Sequence, residues 1–536
     1  MRATMMQFPL TLPHLLERAA RLFGSNEIVS RLPDRGLHRY TYRDFRDRAR
    51  RLAAALLAAG LERGDRVATL MWNHHVHLEA YFAAPCAGGV LHTLNLRLHP
   101  DDIAYIVNHA GDRFLIVDDV LLPLLDKFRG AVNFDRVIVA RLAGGALPAG
   151  CEDYETFIAG GGAFDYPALD ENDAAGMCYT SGTTGRPKGV VYSHRSIVLH
   201  AFATGLRDYL GLSEADAICP VVPMFHVNAW GLPFSATLVG ARQVFPGPHL
   251  DGASLVDLLE RERVTFSAGV PTIWAAVLRE LDAAPGRHRL ASGLRMIVGG
   301  SAVPEAMIRA FARHGVGILH GWGMTETSPV GAVCFVKRHL QGLGEDARFE
   351  LLARQGVPLP FFEVRAMTEQ GEAPWDGRTM GELQVRGPWV AASYHDLAAE
   401  ADKWTADGWL RTGDVVTLDA EGYIKITDRI KDLIKSGGEW ISSVDLENAL
   451  VAHPKVAEAA VIAIRDEKWG ERPLAVVVAK PGAGVPEDEL RAHVAQRFAR
   501  FWVPDGFVFV AEIPRTSTGK MLKAELRERY KDWRRE

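Results

Sequence analysis

The sequence has no surplus of positive charge, no paired cysteine motif and no apolar run long enough to cross a membrane. Its formal net charge is −5 at pH 7, so composition gives no reason to expect nucleic acid as a partner. The five cysteines are scattered without a C-x-x-C pair, which argues against a zinc site or a disulfide framework and favours a cytoplasmic location. No stretch approaches the roughly 20 apolar residues of a transmembrane helix. Peripheral contact with a membrane stays open.

The N-terminal stretch also lacks the sustained apolar core of a signal peptide, because Pro9, Pro13, Glu17 and Arg18 interrupt it. What remains is an ordinary globular composition, with 48% hydrophobic and 24% charged residues. A chain of 536 residues is long enough for more than one domain. We therefore expect a soluble protein of at least two domains.

Strand-like and helix-like patterns alternate in the first part of the chain. An amphipathic helix pattern covers 42–59, and Gly60 follows it. The strand-like runs are 66–71, 90–94, 113–117 and 136–140, while the Gly- and Ala-rich stretch 144–162 reads as a loop. This alternation predicts α/β architecture with parallel sheets.

The stretch 178–193, CYTSGTTGRPKGVVYS, places a loop of hydroxyls and glycines between two β-prone runs. Glycines let backbone N–H groups approach an anion closely, hydroxyls donate hydrogen bonds, and a lysine adds a positive charge. The residues that carry this chemistry are Thr180, Ser181, Gly182, Thr183, Thr184 and Lys188. The spacing of a Walker A loop is absent, so the sequence predicts a phosphate-binding loop of another kind.

The string YTSGTTGRPKG resembles the phosphate loop of the adenylate-forming superfamily, which includes acyl-CoA synthetases, peptide-synthetase adenylation domains and luciferases. Further strings follow in that superfamily's order: VPMFHVNAW, GWGMTET, RTGD, DRIKD and PRTSTGKM. The resemblance is closest to bacterial medium- and long-chain fatty-acyl-CoA synthetases. It implies a large N-terminal domain of α/β sandwich sheets plus a distorted β-barrel, and a small mobile α+β C-terminal domain.

The resemblance implies an acyl site at VPMFHVNAW. There His226 would lie by the substrate carboxylate, and Val227 and Trp230 would form a gate to the acyl tunnel. Gly300 would line the acyl-adenylate site. No Asp or Glu occurs between Pro223 and Trp230, which weighs against an amino-acid substrate, because a buried ammonium needs a carboxylate partner.

The nucleotide site would be formed by GWGMTET together with later motifs. Trp322, preceded by His320 and Gly321, stands where the superfamily stacks an aromatic ring on adenine, and Thr325 would meet the α-phosphate. Glu326 would hold Mg²⁺ with help from Thr180, since Mg²⁺ takes few protein ligands. The residues expected at the ribose and adenylate are Asp414, Arg429, Lys435 and Trp440.

The charged stretch around DRIKD resembles the superfamily's domain hinge, with Lys431 at the pivot. We therefore predict domains at 1–429 and 430–536. Near the C-terminus, PRTSTGKM resembles the motif whose lysine performs adenylation, and this assigns Lys520. No general base for the thiol step is evident in the sequence.

The implied activity joins a medium- to long-chain fatty acid to coenzyme A, with ATP, coenzyme A and Mg²⁺ required. An aromatic or other small carboxylic acid is the nearest competing substrate. The sequence also leaves open a luciferase-like oxygenase and a non-catalytic nucleotide- or acyl-binding regulator. The resemblance further suggests a homodimer.

Overall fold

The computed structural model describes residues 1, 3–180, 186–437, 439–515 and 521–534. Its strands are β1 (Glu27–Arg31), β2 (Leu37–Thr41), β3 (Arg66–Leu70), β4 (Val90–Thr93), β5 (Asp112–Asp118), β6 (Arg136–Ala140), β7 (Glu152–Asp153), β8 (Ala174–Tyr179), β9 (Gly189–Ser193), β10 (Ala217–Pro220), β11 (Arg242–Phe245), β12 (Phe266–Gly269), β13 (Arg295–Val298), β14 (Gly317–Gly323), β15 (Val330–Val333), β16 (Val357–Pro358), β17 (Glu363–Thr368), β18 (Gly371–Glu372), β19 (Gly381–Arg386), β20 (Leu410–Leu418), β21 (Ile424–Arg429), β22 (Ile434–Ser436), β23 (Glu439–Ile441), β24 (Val456–Asp466), β25 (Gly470–Ala479) and β26 (Gly506–Phe509).

The helices are α1 (Leu12–Leu22), α2 (Tyr42–Ala58), α3 (His75–Cys86), α4 (Pro100–Ala110), α5 (Leu122–Leu125), α6 (Tyr154–Ala159), α7 (His194–Gly205), α8 (Val227–Trp230), α9 (Leu232–Val239), α10 (Gly252–Arg261), α11 (Pro271–Ala283), α12 (Glu305–Arg313), α13 (Glu345–Leu352), α14 (Ser443–Val451), α15 (Glu487–Ala495) and α16 (Lys523–Arg529). Among the described helices, none is both long and apolar enough to cross a membrane.

Two large sheets form the body of the N-terminal part. The seven-stranded sheet has the order β7-β6-β5-β3-β4-β8-β9 and is parallel except for the pairing of β8 with β9. The nine-stranded sheet has the order β16-β15-β14-β13-β12-β10-β11-β1-β2 and is parallel from β1 to β14. The predicted α/β class with parallel sheets is therefore confirmed.

The helix α3 joins the cores of these sheets. All of its residues are buried, including Glu79, and it contacts β4 and β8 of one sheet and β1 of the other. A helix that is buried on every side belongs to the centre of a large domain. The neighbouring α2 begins at a capping box, in which Thr41 and Asp44 satisfy each other's backbone N–H groups.

A five-stranded antiparallel sheet, β18-β17-β19-β20-β21, follows the two large sheets. A bridge between Gly356 and Ile424 joins it to the chain beside β16. This sheet stands where the sequence predicts the barrel-like part, and it carries Asp414 and Arg429 into the site. Residues after β21 form a separate sheet, β23-β22-β25-β24, with β26 paired to β25. The helices α14, α15 and α16 accompany that last sheet, which agrees with the predicted α+β C-terminal part.

The prediction that 144–162 is a loop is wrong in part, because this stretch contains β7 and α6. The side chain of Asp153 accepts a hydrogen bond from the Thr156 N–H and caps α6. Tyr154 is buried and its hydroxyl donates to Oε2 of Glu79 at 2.6 Å. A tertiary contact thus stabilises a helix that composition alone does not reveal.

Candidate functional site

A cavity of about 480 Å³ lies where the two large sheets and the antiparallel sheet meet. The ends of β8, β13 and β14 reach it, which is where parallel sheets commonly bind ligands. The predicted site residues that line it are Thr180, Lys188, His226, Val227, Trp230, Gly300, Gly321, Trp322, Thr325, Glu326, Arg429 and Lys431. Segments that are far apart in sequence therefore supply one common pocket.

Other predicted residues lie elsewhere. His320 is buried, and its Nδ1 pairs with the carbonyl oxygen of Ala353 at 2.9 Å. Burial lowers the pKa of His320 to about 4, so the ring is neutral and performs a structural task in this geometry. Lys435 and Trp440 face each other across the β22–β23 hairpin with the ammonium 4.4 Å from the ring centre, away from the cavity lining. Predictions for Ser181, Gly182, Thr183, Thr184 and Lys520 fall outside the described residues.

Asp414 is not among the residues that line the cavity, whereas the preceding Gly413 and its partners Trp322 and Arg429 are. Its Oδ2 accepts a hydrogen bond from Nε1 of Trp322 at 2.9 Å, and its Oδ1 lies 3.2 Å from Nε of Arg429. Each carboxylate oxygen can accept a further hydrogen bond. The indole, the carboxylate and the guanidinium are thus held as a unit by β14, β20 and β21.

Glu326 follows β14 in a short 3₁₀ turn, Thr325–Thr327. Its carboxylate is buried, and Oε1 accepts a hydrogen bond from the Tyr394 hydroxyl at 2.5 Å. Burial, together with the charge of Glu326, raises the pKa of Tyr394, so the phenol keeps its proton. The Thr325 carbonyl is fixed in turn by the Tyr192 hydroxyl at 2.8 Å.

The phosphate loop is closed at its base by two hydrogen bonds between Thr180 and Lys188. The Thr180 N–H donates to the Lys188 carbonyl at 2.9 Å, and the Lys188 N–H donates to Oγ1 of Thr180 at 3.1 Å. The Lys188 ammonium pairs with Glu400 at 2.6 Å and lies 5.3 Å from the Tyr394 ring centre. A phosphate oxygen that enters the cavity would compete with Glu400 for this cation.

The cavity lining carries more positive than negative charge. Its cationic side chains are Arg97, Arg186, Lys188, Lys403, Arg429 and Lys431, and its carboxylates are Glu326 and Glu400. Burial lowers the pKa of Arg97 and also that of Lys431. Such a lining suits a polyanion, because the cations and the partly desolvated surroundings strengthen the attraction.

The described residues hold no cluster of three or more His, Cys, Asp or Glu side chains suited to a metal. Thr180 and Glu326 nevertheless both line the cavity and offer oxygen donors. Mg²⁺ usually takes one or two protein oxygens and completes its shell with phosphate and water. This donor set therefore fits Mg²⁺ bound together with a nucleotide.

The segment α8, which contains the predicted gate, is a left-handed turn. Val227, Asn228, Ala229 and Trp230 have φ angles of 45°, 50°, 48° and 57°, and Gly231 follows at 76°. Each non-glycine residue in this conformation costs roughly 1–2 kcal/mol. Asn228 is held in place by the Cys178 thiol, which donates to its Oδ1 at 3.3 Å.

The Trp230 indole packs onto the glycines that end β13. A β-carbon at Gly299 would lie 3.5 Å from the indole and 2.5 Å from the Gly321 carbonyl oxygen, so only glycine fits there. Apolar side chains, among them Val222, Val270 and Ile273, line the cavity together with Trp230. The indole therefore lines the same cavity as the charged side chains and as these apolar side chains.

Sequence reasoning missed several residues of the lining: Tyr394, Glu400, Arg97 and Lys403. They come from segments without a distinctive motif, and their neighbours in sequence carry no phosphate or metal pattern. Arg186 is different, because it stands inside the quoted phosphate-loop string and could have been assigned with Lys188. It stacks on Tyr105, with 4.9 Å between the guanidinium carbon and the ring centre.

Comparison with known proteins places this geometry in a family. Residues 16–395 match the family described as AMP-binding enzyme, and residues 445–520 match the AMP-binding enzyme C-terminal domain. The chain belongs to the AMP-binding enzyme family. The resemblance to the adenylate-forming superfamily is thereby confirmed, whereas the predicted boundary at residue 430 stays a prediction.

Two curated relatives of this AMP-binding enzyme cover nearly the whole chain. A long-chain-fatty-acid–CoA ligase of Thermus thermophilus is 52% identical, covering 99% of this chain and 97% of its own. A 3-methylmercaptopropionyl-CoA ligase of Ruegeria pomeroyi is 46% identical, covering 99% of both chains. Among solved structures, an anthranilate CoA ligase in complex with anthranoyl-AMP has a TM-score of 0.86 at 26% identity, covering 99% of both chains.

Proposed function

We propose that this protein joins medium- to long-chain fatty acids to coenzyme A, using ATP and passing through an acyl-AMP intermediate. The observation that carries the proposal is one cavity whose lining combines cationic and carboxylate side chains with apolar side chains, Trp230 among them. The charged side chains suit ATP, and the apolar side chains suit an aliphatic chain. The enzyme class predicted from the sequence, an ATP-dependent acid–CoA ligase, is confirmed at that level by the family and its CoA-ligase relatives.

The residues proposed to bind ATP, which we call the nucleotide half of the cavity, would each contact a different part of it. The Trp322 ring would stack on adenine, while Asp414 and Arg429 would contact the ribose. Lys188, Thr325 and Arg186 would meet the phosphates. Bound Mg²⁺, held by Glu326 and Thr180, would neutralise negative charge on the phosphate oxygens. Trp322, Asp414 and Arg429 are held together by protein contacts, which reduces the reorganisation that ATP binding requires. Lys188 would exchange its partner Glu400 for a phosphate oxygen.

In the first half-reaction, an oxygen of the substrate carboxylate forms a bond to the α-phosphorus of ATP. The bond from that phosphorus to the oxygen bridging it to the β-phosphorus breaks, and pyrophosphate leaves. His226 lines the cavity beside the gate and would orient the carboxylate. Lys520 would stabilise the negative charge that develops on the attacking and phosphoryl oxygens.

In the second half-reaction, the C-terminal part turns about Lys431, and the thiol of coenzyme A reaches the activated carbonyl. The new carbon–sulfur bond replaces the carbon–oxygen bond to AMP, and AMP leaves. The thiol proton must pass to a base, for which the sequence indicates no residue. Homodimer formation, peripheral membrane contact and a cytoplasmic location stay predictions.

The first test measures acid-dependent exchange of labelled pyrophosphate into ATP without coenzyme A. We expect exchange with fatty acids and, once coenzyme A is added, release of AMP and an acyl thioester. ATP binding without exchange for any acid would contradict the proposal and favour the non-catalytic regulator. Light emission that depends on oxygen would instead favour a luciferase-like oxygenase.

A short-chain acid is a second candidate substrate, because the Trp230 indole lies close to Gly299 and Gly300 in the cavity lining and would limit the length of an acyl chain unless it moves. The two candidates differ in what Trp230→Ala does. If the indole moves aside during turnover, the wild-type protein uses long acids readily. If it stays in place, the wild-type protein uses only short acids, and the variant gains the long ones.

A further inference from the structure

A buried cluster of charged residues lies outside the cavity, at the start of α16. Lys523 is the first residue of this helix and is buried. Its Nζ lies 2.6 Å from Oε1 of Glu447 and donates to Oγ of Ser443 at 2.6 Å. Glu447 also accepts the Val461 N–H at 2.7 Å. The cluster therefore joins α16, α14 and β24.

The same cluster includes the hinge strand. Asp428, near the end of β21, is buried, and its Oδ2 accepts the Ser443 N–H at 2.6 Å. Burial raises the pKa of Asp428, and the nearby charge of Lys523 acts in the opposite direction. Lys523 thus sits among carboxylates from both sides of the predicted boundary at residue 430.

A second contact repeats this arrangement one helical turn later. Arg527 pairs with Asp432 at 2.5 Å. Residues four positions apart share one face of a helix, so Lys523 and Arg527 lie on the same face of α16. Asp432, the partner of Arg527, directly follows the pivot residue Lys431, and Asp428, which precedes it, is linked to Lys523 through Ser443. The helix is therefore joined to the hinge directly through Arg527 and, by way of Ser443, also through Lys523.

Helix stability does not explain these contacts. A cation at the N-terminus of a helix is unfavourable to the helix dipole, and no side chain caps α16. A buried ion pair often contributes no more stability than a well-packed apolar pair would, yet it can enforce one arrangement of the elements it joins. Burial raises the pKa of Glu447 to about 7, which shows how unfavourable this location is for a carboxylate.

Backbone contacts join the residues that precede 516–520 to the residues that follow it. Arg515 and Met521 form an antiparallel bridge, and the Leu522 N–H donates to the Pro514 carbonyl at 2.8 Å. Lys523 directly follows Leu522, the last of these paired residues. The adenylation lysine assigned from the sequence, Lys520, is three positions before Lys523 in the chain.

We propose that Lys523 and Arg527 clamp the base of segment 516–520 to the hinge, so that the presentation of Lys520 follows the hinge angle. The inference rests on the proposed function, because it uses the role of Lys520 in adenylation. Lys523, Glu447 and Arg527 act through Lys520 and are positioning residues. They serve the first half-reaction and not the second.

The test uses the full-length double variant Lys523→Met/Glu447→Gln, which removes both charges of the pair and keeps similar side-chain volumes. We expect acyl-AMP formation to slow about 100-fold, as for a small misplacement of a catalytic group, with an unchanged KM for ATP. Thioester formation from supplied acyl-AMP should stay at the wild-type rate. The single variant Lys523→Arg, which keeps the positive charge, should retain most of the wild-type adenylation rate. Arg527→Gln should slow adenylation less than the double variant does.

The matched control is Arg529→Gln, which removes an arginine from the same helix, where it forms an exposed pair with Glu525. This control should leave both half-reactions unchanged. Equal loss in both half-reactions, or no loss in the double variant, would overturn the clamp.

Repeating the double variant in a Lys520→Ala background tests whether the effect passes through Lys520. Residues that act as a unit are non-additive, so we expect no further loss of adenylation there. A full additional loss would overturn the clamp. If Lys520→Ala alone left adenylation intact, the role of Lys520 in the proposed function would be wrong and the clamp would fail with it, a result distinct from failure of the clamp alone.

Discussion

The Trp322 indole donates a hydrogen bond of 2.9 Å from Nε1 to Oδ2 of Asp414, which is 92 residues further along the chain. The bond ties β14 of the nine-stranded sheet to β20 of the antiparallel sheet. It also orients the carboxylate whose other oxygen faces Arg429. The nucleotide half of the cavity thus depends on contact between two sheets.

Trp322→Phe tests this relationship, because phenylalanine keeps an aromatic ring and lacks the N–H donor. Because this hydrogen bond orients the Asp414 carboxylate proposed to bind the ribose, we expect its loss to raise the KM for ATP about tenfold, with a smaller change in kcat. The measurement is steady-state kinetics at saturating acid and coenzyme A. Trp389→Phe is the control, since Trp389 is buried, does not itself line the cavity, and donates its indole N–H to the backbone carbonyl of Val330, which is not assigned to ATP. An equal rise in KM in both variants would contradict the assignment.

Gly231→Ala tests the left-handed turn behind the gate. Gly231 has a φ of 76°, and a β-carbon there would lie 2.8 Å from Nδ1 of the buried His200. We expect the variant to lose about 2–4 kcal/mol of unfolding free energy, measured by urea denaturation. Gly205→Ala, at the end of α7 with no atom within 4 Å of the added carbon, should be neutral or slightly stabilising. Similar losses in the two variants would show that the turn imposes no special constraint.

Lys520→Ala tests the division between the two half-reactions. Pyrophosphate release should slow by about 100-fold or more, because the proposed function assigns the charge of Lys520 to the phosphoryl-transfer transition state alone. Thioester formation from chemically supplied acyl-AMP should be largely intact. Rapid-quench measurement of each half-reaction separates the two. If both fell by the same factor, the assignment of Lys520 to adenylation would be wrong.

The pH dependence of stability follows from the buried neutral histidines. Burial lowers the pKa of His200 to about 3 and that of His320 to about 4, from 6.5. Below pH 6.5 the unfolded state therefore binds more protons than the folded state, and stability falls as the pH decreases toward 4. His320→Gln should reduce the slope of unfolding free energy against pH in this window by up to about 1.4 kcal/mol per pH unit. An unchanged slope would show that His320 is protonated in the folded protein.

Much of the fold and part of the site could be predicted from the sequence. The strands at Arg66–Leu70 and Arg136–Ala140 were predictable because each is a short apolar run, and α2 because its pattern has helical period. Trp322, Thr325 and Glu326 were predictable because a single motif holds them together.

Tyr394 and Glu400 were not predictable, since their roles depend on contacts with Glu326 and Lys188 that only the folded chain brings about. His320 shows that membership of a motif does not by itself place a side chain in the site. It stands two positions before Trp322, but the direction of its side chain toward Ala353 is decided by packing. The same applies to Tyr154, whose helix depends on a hydrogen bond to Glu79.

The most direct test of the account is coenzyme-A-dependent formation of AMP across a panel of carboxylic acids. The panel should contain acetate, fatty acids from short to long, benzoate and several amino acids. We expect the highest kcat/KM among medium- to long-chain fatty acids, with activity falling for acetate, benzoate and the amino acids. Activity confined to aromatic, amino or very short acids would contradict the assignment of the apolar part of the cavity to a long aliphatic chain.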